Sequence, residues 1–190
     1  MDEVIKQGGV IAFRTDTFYG LGVDPFNAVA VRRLRALKGR EDNKPILLLI
    51  ADVSEIERLL RERTAEFNEL AARFWPGPLT IVGKAAETLP EEVTAGTGTV
   101  GVRLPADEKV RKLVLECGGV LTATSANPAG REPARSAEEV RGYFPNGIDL
   151  IVDGGEVTAT EPSTVVDATT SPPRVIREGA IRATLIAPHA

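Results

Sequence analysis

The chain has 190 residues, 43% of them hydrophobic and 26% charged, and a formal net charge of −4. That composition fits one soluble domain burying ~70% of its unfolded-chain surface; its acidic balance speaks against a duplex-binding protein, which carries a basic excess. One cysteine, Cys117, and one histidine, His189, exclude an internal disulfide, a multi-histidine metal site, and a Ser–His or Cys–His pair within the body of the chain.

The start, Met1-Asp2-Glu3, is acidic and lacks the apolar stretch of a signal peptide. No run approaches the ~20 apolar residues that span a bilayer, so a cytoplasmic protein without membrane contact is expected. Gly9–Phe13 is short, apolar and β-branched enough for a buried strand. Arg14–Gly22 (Arg-Thr-Asp-Thr-Phe-Tyr-Gly-Leu-Gly) then sets two hydroxyls and a carboxylate at the strand's end, where open α/β sheets hold ligands. If extended, Thr15 and Thr17 share one face, and Gly20 and Gly22 let the backbone turn back or approach something closely.

Asn27 caps a helix over Ala28–Leu37 that Gly39 ends, which leaves Lys38 and Arg40 at its exit. Pro45–Ile50 reads as a buried strand. Asp52 or Ser54 caps a short helix to Leu60, and Thr64 caps another ending at Trp75, where Pro76-Gly77-Pro78 stops it. Leu79–Val82 is a strand, Thr94–Thr99 a loop, and Val100–Leu104 a strand. Asp107 opens a helix to Glu116, with Cys117 a small buried residue at its end. Val120–Thr124 is the next strand, followed by the dense turn formers Ser125–Gly130. Ser136–Glu139 has the capping-box pattern, and Leu150–Asp153, Ser163–Asp167 and Arg174–Arg177 are late strands. The expected fold is α/β, a single domain over 1–190 with a twisted mixed β-sheet flanked by helices.

Two nucleotide motifs fail on context. Gly96–Gly101 fits G-x-G-x-x-G, but no strand precedes it and a strand follows. Gly77 to Gly83-Lys84 has five intervening residues rather than four, and Ala85 replaces the hydroxyl of a P-loop. What remains is a set of cations and hydroxyls at strand ends. Arg103 lies inside an otherwise apolar strand, where an unpaired guanidinium would cost several kcal/mol, so it needs an anionic partner. Arg177 invites the same argument, with Glu178 a partner for one or the other. Lys38, Arg40 and Lys44 cluster, and Thr122, Thr124, Ser125, Asn127, Ser163 and Thr164 add polar groups. Without a nucleophile–base pair, such a set suits a polyanion with a polar small molecule beside it, and phosphoryl or nucleotidyl transfer by positioning and charge neutralisation.

The chain resembles the YrdC-type threonylcarbamoyl-AMP synthases over nearly its whole length. The markers are Thr15–Gly22, Lys38-Gly39-Arg40, Trp75–Thr80, Val102–Pro105, Thr124–Asn127, Pro162–Asp167 and Ile176–Gly179, seven in the same order. The resemblance, to the short single-domain form, implies a YrdC-like fold. It implies a reaction in which L-threonine, bicarbonate and ATP give threonylcarbamoyl-adenylate and pyrophosphate, with Mg²⁺ on the phosphates and no protein metal site. The product would feed threonylcarbamoyladenosine formation in tRNA by separate transferase proteins. By the same resemblance Thr17, Arg103, Ala123 (through its backbone) and Ser163 would hold L-threonine. Arg40, Lys44, Thr99, Ser125, Pro133 and Arg177 would line the ATP site, and Lys38 and Arg40 would supply catalytic charge.

Three positions depart from the family pattern. Arg14 and Glu41 stand where Pro is usual, and Leu49 where some relatives carry a threonine-contacting His. Arg14 would add a cation near the site or pair with Asp16 or Glu41. Two other readings use the same residues. One is a non-catalytic module that binds structured RNA through phosphate contacts, against which stand the acidic charge and an aromatic content of 5%. The other is a carbamoyl-adenylate-forming domain of hydrogenase maturation.

Overall fold

A computed structural model describes residues 1–39 and 44–186. In chain order the first half gives α1 (Asp2–Lys6), β1 (Ile11–Arg14), β2 (Tyr19–Gly22), α2 (Ala28–Leu37), β3 (Leu47–Ile50), α3 (Ala65–Phe74) and β4 (Leu79–Lys84). The second half gives α4 (Glu91–Thr94), β5 (Thr99–Arg103), α5 (Glu108–Glu116), β6 (Val120–Ser125), α6 (Ala137–Tyr143), β7 (Leu150–Val152), β8 (Thr164–Asp167), β9 (Arg174–Arg177) and α7 (Ala183–Ile186).

The strands form one mixed sheet in the order β7-β1-β2-β6-β3-β5-β4-β8-β9. Both faces are covered, which is why several strands read as continuous apolar runs rather than alternating ones. Alternate residues serve different cores. Ala12, Leu21, Leu48 and Ile50 join the larger one, under α2, α3, α4 and α6. Ile11, Phe13, Leu49 and Leu121 join Val110, Leu113 and Val114 of α5 in the smaller one. β6 divides its length between its two neighbours: Thr124 and Ser125 pair with β2, while Val120–Ala123 pair with β3.

The cap residues act as the sequence implies. Asn27 Oδ1 accepts from Val29 and Ala30, Thr64 Oγ1 from Phe67, and Asp107 from Lys109. Ser136 caps α6 through the Glu139 amide, but the Glu139 carboxylate reaches back to the Arg135 amide rather than to Ser136. Cys117 is buried at the end of α5, and burial pushes its thiol up to about 11.

Several expectations change. The strand expected from Pro45 starts at Leu47, because Pro45 has no N–H and the Ile46 amide goes to Val93. Asp52, not Ser54, caps the next segment, a 3-10 turn over Val53–Arg58. A helical turn, α4, precedes the glycine-rich loop, and β2 is a full strand. Gly22 is there for close approach: a Cβ would stand 2.8 Å from Leu121 and Phe13. Arg14 does not pair with Asp16; it reaches Asp107 at 2.9 Å, while Glu41 lies outside the described residues. Glu178 pairs with neither Arg103 nor Arg177. It binds Arg182 and accepts from the Ala183 amide.

Candidate active site

The turn between β1 and β2 carries the first part of the site. Thr15, 5% exposed, ties it: its hydroxyl donates to the Phe18 carbonyl at 2.6 Å and accepts from the Thr17 and Phe18 amides. That local closure turns Asp16 and Thr17 toward β5. There Arg103, with a side chain only 3% exposed, forms a short ion pair with Asp16. Its Nε donates to the Gly77 carbonyl at 3.2 Å, and Nη1 faces Thr17 Oγ1 at 3.4 Å. The anion that a guanidinium inside an apolar strand requires is therefore Asp16.

The Trp75–Thr80 stretch frames this arginine. Gly77 accepts from Arg103 and donates its amide to Leu104, and Trp75 Nε1 donates to the Leu79 carbonyl. A Cβ on Gly77 would lie 2.3 Å from the Phe74 carbonyl, so only glycine fits the bend. On β4, next to β5, Thr80 Oγ1 lies 3.0 Å from Ser163 Oγ just before β8, and both residues are buried. Arg177 donates to the Ser163 carbonyl at 2.8 Å and approaches Ser163 Oγ at 3.3 Å.

A bulge brings Arg177 here. β9 pairs Arg174 with Asp167 and Val175 with Val166, then shifts so that Arg177 rather than Ile176 stands opposite Val165. Ile176 is left 53% exposed, and the arginine is re-aimed to the face that carries Ser163. Although Arg177 is exposed as a residue, burial of its guanidinium end pushes its pKa down, and the nearby charge of Arg103 pushes the same way. Among the described residues no carboxylate pairs with Arg177.

Another group gathers near the middle of the sheet, where β6 ends between β2 and β3. Lys38, 4% exposed at the exit of α2, donates to the Ser125 carbonyl at 2.5 Å, the Asn127 carbonyl at 2.6 Å and Asn127 Oδ1 at 3.1 Å. Ser125 Oγ donates to Asn127 Oδ1 at 2.5 Å. The ammonium thus fixes the turn after β6 while placing a positive charge behind it. Pro133 sits beside this turn, since its neighbour Ala134 donates to Ala126 and accepts from Tyr19. Thr99 opens β5 opposite Lys84, its hydroxyl 2.9 Å from that of Thr97. Lys44 is exposed just before β3, the strand between β5 and β6, and its carbonyl accepts from Arg35.

The predicted residues thus fall into two neighbouring sets. Thr17, Arg103, Ser163 and Arg177 meet in one place, and Lys38, Ser125 and Pro133 in another. Ala123, 8% exposed, lies in β6 opposite Leu47, between the two. Thr99 and Ser125 belong to strands separated only by β3, hence about 10 Å apart across the sheet. Arg40 lies outside the described residues. Leu49 is 1% exposed opposite both Arg103 and Leu121, so it presents methyl groups to the smaller core. Asp16, Thr80 and Asn127 have site contacts that the sequence reading assigned to no ligand. The only sequence signal toward Asp16 is that Arg103 requires some acid, which does not single out this one.

The Sua5–YciO–YrdC family model, whose description is "Telomere recombination", matches residues 3–179. The threonylcarbamoyl-AMP synthase of Pyrococcus abyssi (strain GE5 / Orsay) is 40% identical over 177 residues, 93% of this chain and 52% of that protein. The threonylcarbamoyl-AMP synthase of Halorhodospira halophila (strain DSM 244 / SL1) is 44% identical over 150 residues, 79% of this chain and 78% of that one. Among solved structures, P. abyssi Sua5 complexed with L-threonine superposes with a TM-score of 0.93 at 38% identity, covering 98% of this chain and 55% of the other. The chain thus spans about half the length of the Pyrococcus protein and over three-quarters of the Halorhodospira one.

Proposed function

This chain belongs to the Sua5–YciO–YrdC family, and on that premise we propose that it makes threonylcarbamoyl-AMP from L-threonine, bicarbonate and ATP. The observation that carries the reading is Arg177. A cation pressed against Ser163 beside a second arginine, with no carboxylate of its own among the described residues, is a place for an anionic ligand. Arg103 differs in that Asp16 already balances it.

In this reaction the neutral threonine amine attacks the carbon of bicarbonate, a C–O bond breaks and water leaves, giving an N-carboxylate. A carboxylate oxygen then attacks the α-phosphorus of ATP in line, the bond to the β-phosphate oxygen breaks, and pyrophosphate departs. No protein nucleophile is needed, in keeping with a buried Cys117 whose thiol is pushed up to about 11. Thr17, Arg103, Ser163 and the Ala123 backbone hold L-threonine. Ser125, Pro133, Thr99, Lys44, Arg40 and Arg177 line the nucleotide. Lys38 serves by fixing the Ser125–Asn127 turn and by lending its charge. This reading has Mg²⁺ enter as part of the nucleotide substrate, carried on its phosphates; among the described residues no three His, Cys, Asp or Glu side chains converge.

The same reading has 1–190 acting as one unit in the cytoplasm and handing its product to a separate tRNA threonylcarbamoyl transferase. Among the described residues no helix is long and apolar enough to cross a membrane. The names of the relatives favour the synthase over a non-catalytic RNA-binding module.

The test is pyrophosphate release from ATP. It is expected to require both L-threonine and bicarbonate, and Arg177→Ala is expected to lower kcat by about 10²–10³-fold, as loss of one charge-stabilising donor does. Release indifferent to threonine would overturn the reading.

A further inference from the structure

Thr80 and Ser163 touch through their hydroxyls alone, at 3.0 Å, with both residues 3% exposed. Thr80 belongs to β4, which runs parallel to β8 with Thr80 opposite Val165. Its orientation is fixed from the other neighbour, β5. Gly101 there leaves bare backbone, and a Cβ on it would lie 2.9 Å from the Thr80 methyl. Seating that methyl also fixes the second branch of the same Cβ, so the hydroxyl is aimed at Ser163. Arg177 grips the Ser163 carbonyl at 2.8 Å but comes only within 3.3 Å of its hydroxyl, which makes Thr80 the nearer partner of that group.

The two hydroxyls carry two protons and make one bond between them. Arg177 only donates, so it takes neither proton, and no other acceptor for either hydroxyl stands among the described residues. Whichever of the two donates, one buried proton is left over, and an unmet buried donor is costly. We propose that Thr80 is a positioning residue for L-threonine: its hydroxyl holds that of Ser163 so that the pair gives its spare proton to an oxygen of the ligand. This deepens the reading of L-threonine as substrate and rests on it.

The probe is L-threonine, its affinity measured by calorimetry. The proteins are the wild type, Thr80→Val, Thr80→Ser, Thr80→Ala, and Ser163→Ala with and without Thr80→Val. Thr80→Val is expected to raise Kd about 3–10-fold, the worth of one net hydrogen bond. Serine keeps the hydroxyl and alanine does not, so Thr80→Ala is expected to bind more weakly than Thr80→Ser by a similar factor. That comparison presses no methyl on Ser163, and it serves if Thr80→Val does not fold. On top of Ser163→Ala, Thr80→Val is expected to add nothing, because the group it acts through is gone. A purely structural role in the sheet would weaken binding in both backgrounds. Equal affinity of Thr80→Ser and Thr80→Ala, or an equal loss with and without the Ser163 hydroxyl, overturns the assignment and leaves the synthase reading standing. Wild-type protein that binds no L-threonine overturns both.

Discussion

Arg103 reaches its place with 2% of its surface exposed, and a lone guanidinium there would cost several kcal/mol. Asp16 supplies the opposite charge, the Gly77 carbonyl takes Nε, and Thr17 faces Nη1. Asp16→Asn keeps the shape and removes the charge, so denaturant unfolding is expected to show a loss of about 3 kcal/mol. The KM for L-threonine should rise as well, because the guanidinium would no longer be held toward Thr17. That Arg103 needed a partner is legible in one strand, since a charge stands among apolar neighbours. Which partner is not, because Asp16 lies 87 positions away and only the β1–β2 turn brings it near. Glu178 looked as suitable on paper, but it is drawn instead to Arg182 and the first amide of α7.

Among elements, β9 shows how a glycine and a bulge together place a side chain. Gly179 passes so close to the preceding segment that a Cβ would lie 2.3 Å from the Pro162 carbonyl oxygen and 2.9 Å from that of Ser163. Both neighbours are backbone and yield little. Gly179→Ala is therefore expected to cost about 1–3 kcal/mol in thermal or denaturant unfolding, and to raise the KM for L-threonine by displacing Ser163. The helices were the legible part of this fold. Asn27, Thr64, Asp107 and Ser136 each announce a start through side-chain chemistry that acts over two or three residues. β2 is not legible as a strand, because Gly20 and Gly22 suit a turn as well as a close approach; at Gly22 it is the close approach, to Phe13 and Leu121, that occurs. The bulge in β9 had no local signal, since register depends on the partner strand.

At the scale of the molecule, Asp149 joins three elements. It accepts from the Val10 amide at 2.7 Å and pairs with Arg33 of α2 at 2.8 Å, beside the start of β7. Burial alone would push its carboxyl up, but the Arg33 side chain and the Val10 amide outweigh burial and hold it below the usual carboxylate range. A carboxyl depressed in the folded state adds stability that is fully present above its unfolded value, about 3.9, and is lost as pH falls through the lower folded value. Asp149→Asn is thus expected to cost about 1 kcal/mol at neutral pH, a figure discounted for the solvent around the pair. The difference from wild type should close below about pH 4, as followed by denaturant titration across that range.

The longest reach in the fold is the connection from β7 to β8, residues 153–163, because six strands of the sheet lie between those two. It is fastened on its way: Tyr19 OH donates to the Gly155 carbonyl and accepts from Gly154, Val157 donates to Arg135, and Arg135 donates to Ala159. β8, which brings Ser163 and pairs with β4, and β9, which brings Arg177 and pairs with β8, are the last strands to be synthesised. On a nascent chain Ser163 and Arg177 therefore join Thr17 and Arg103 only once the β8–β9 hairpin has left the ribosome and docked against β4.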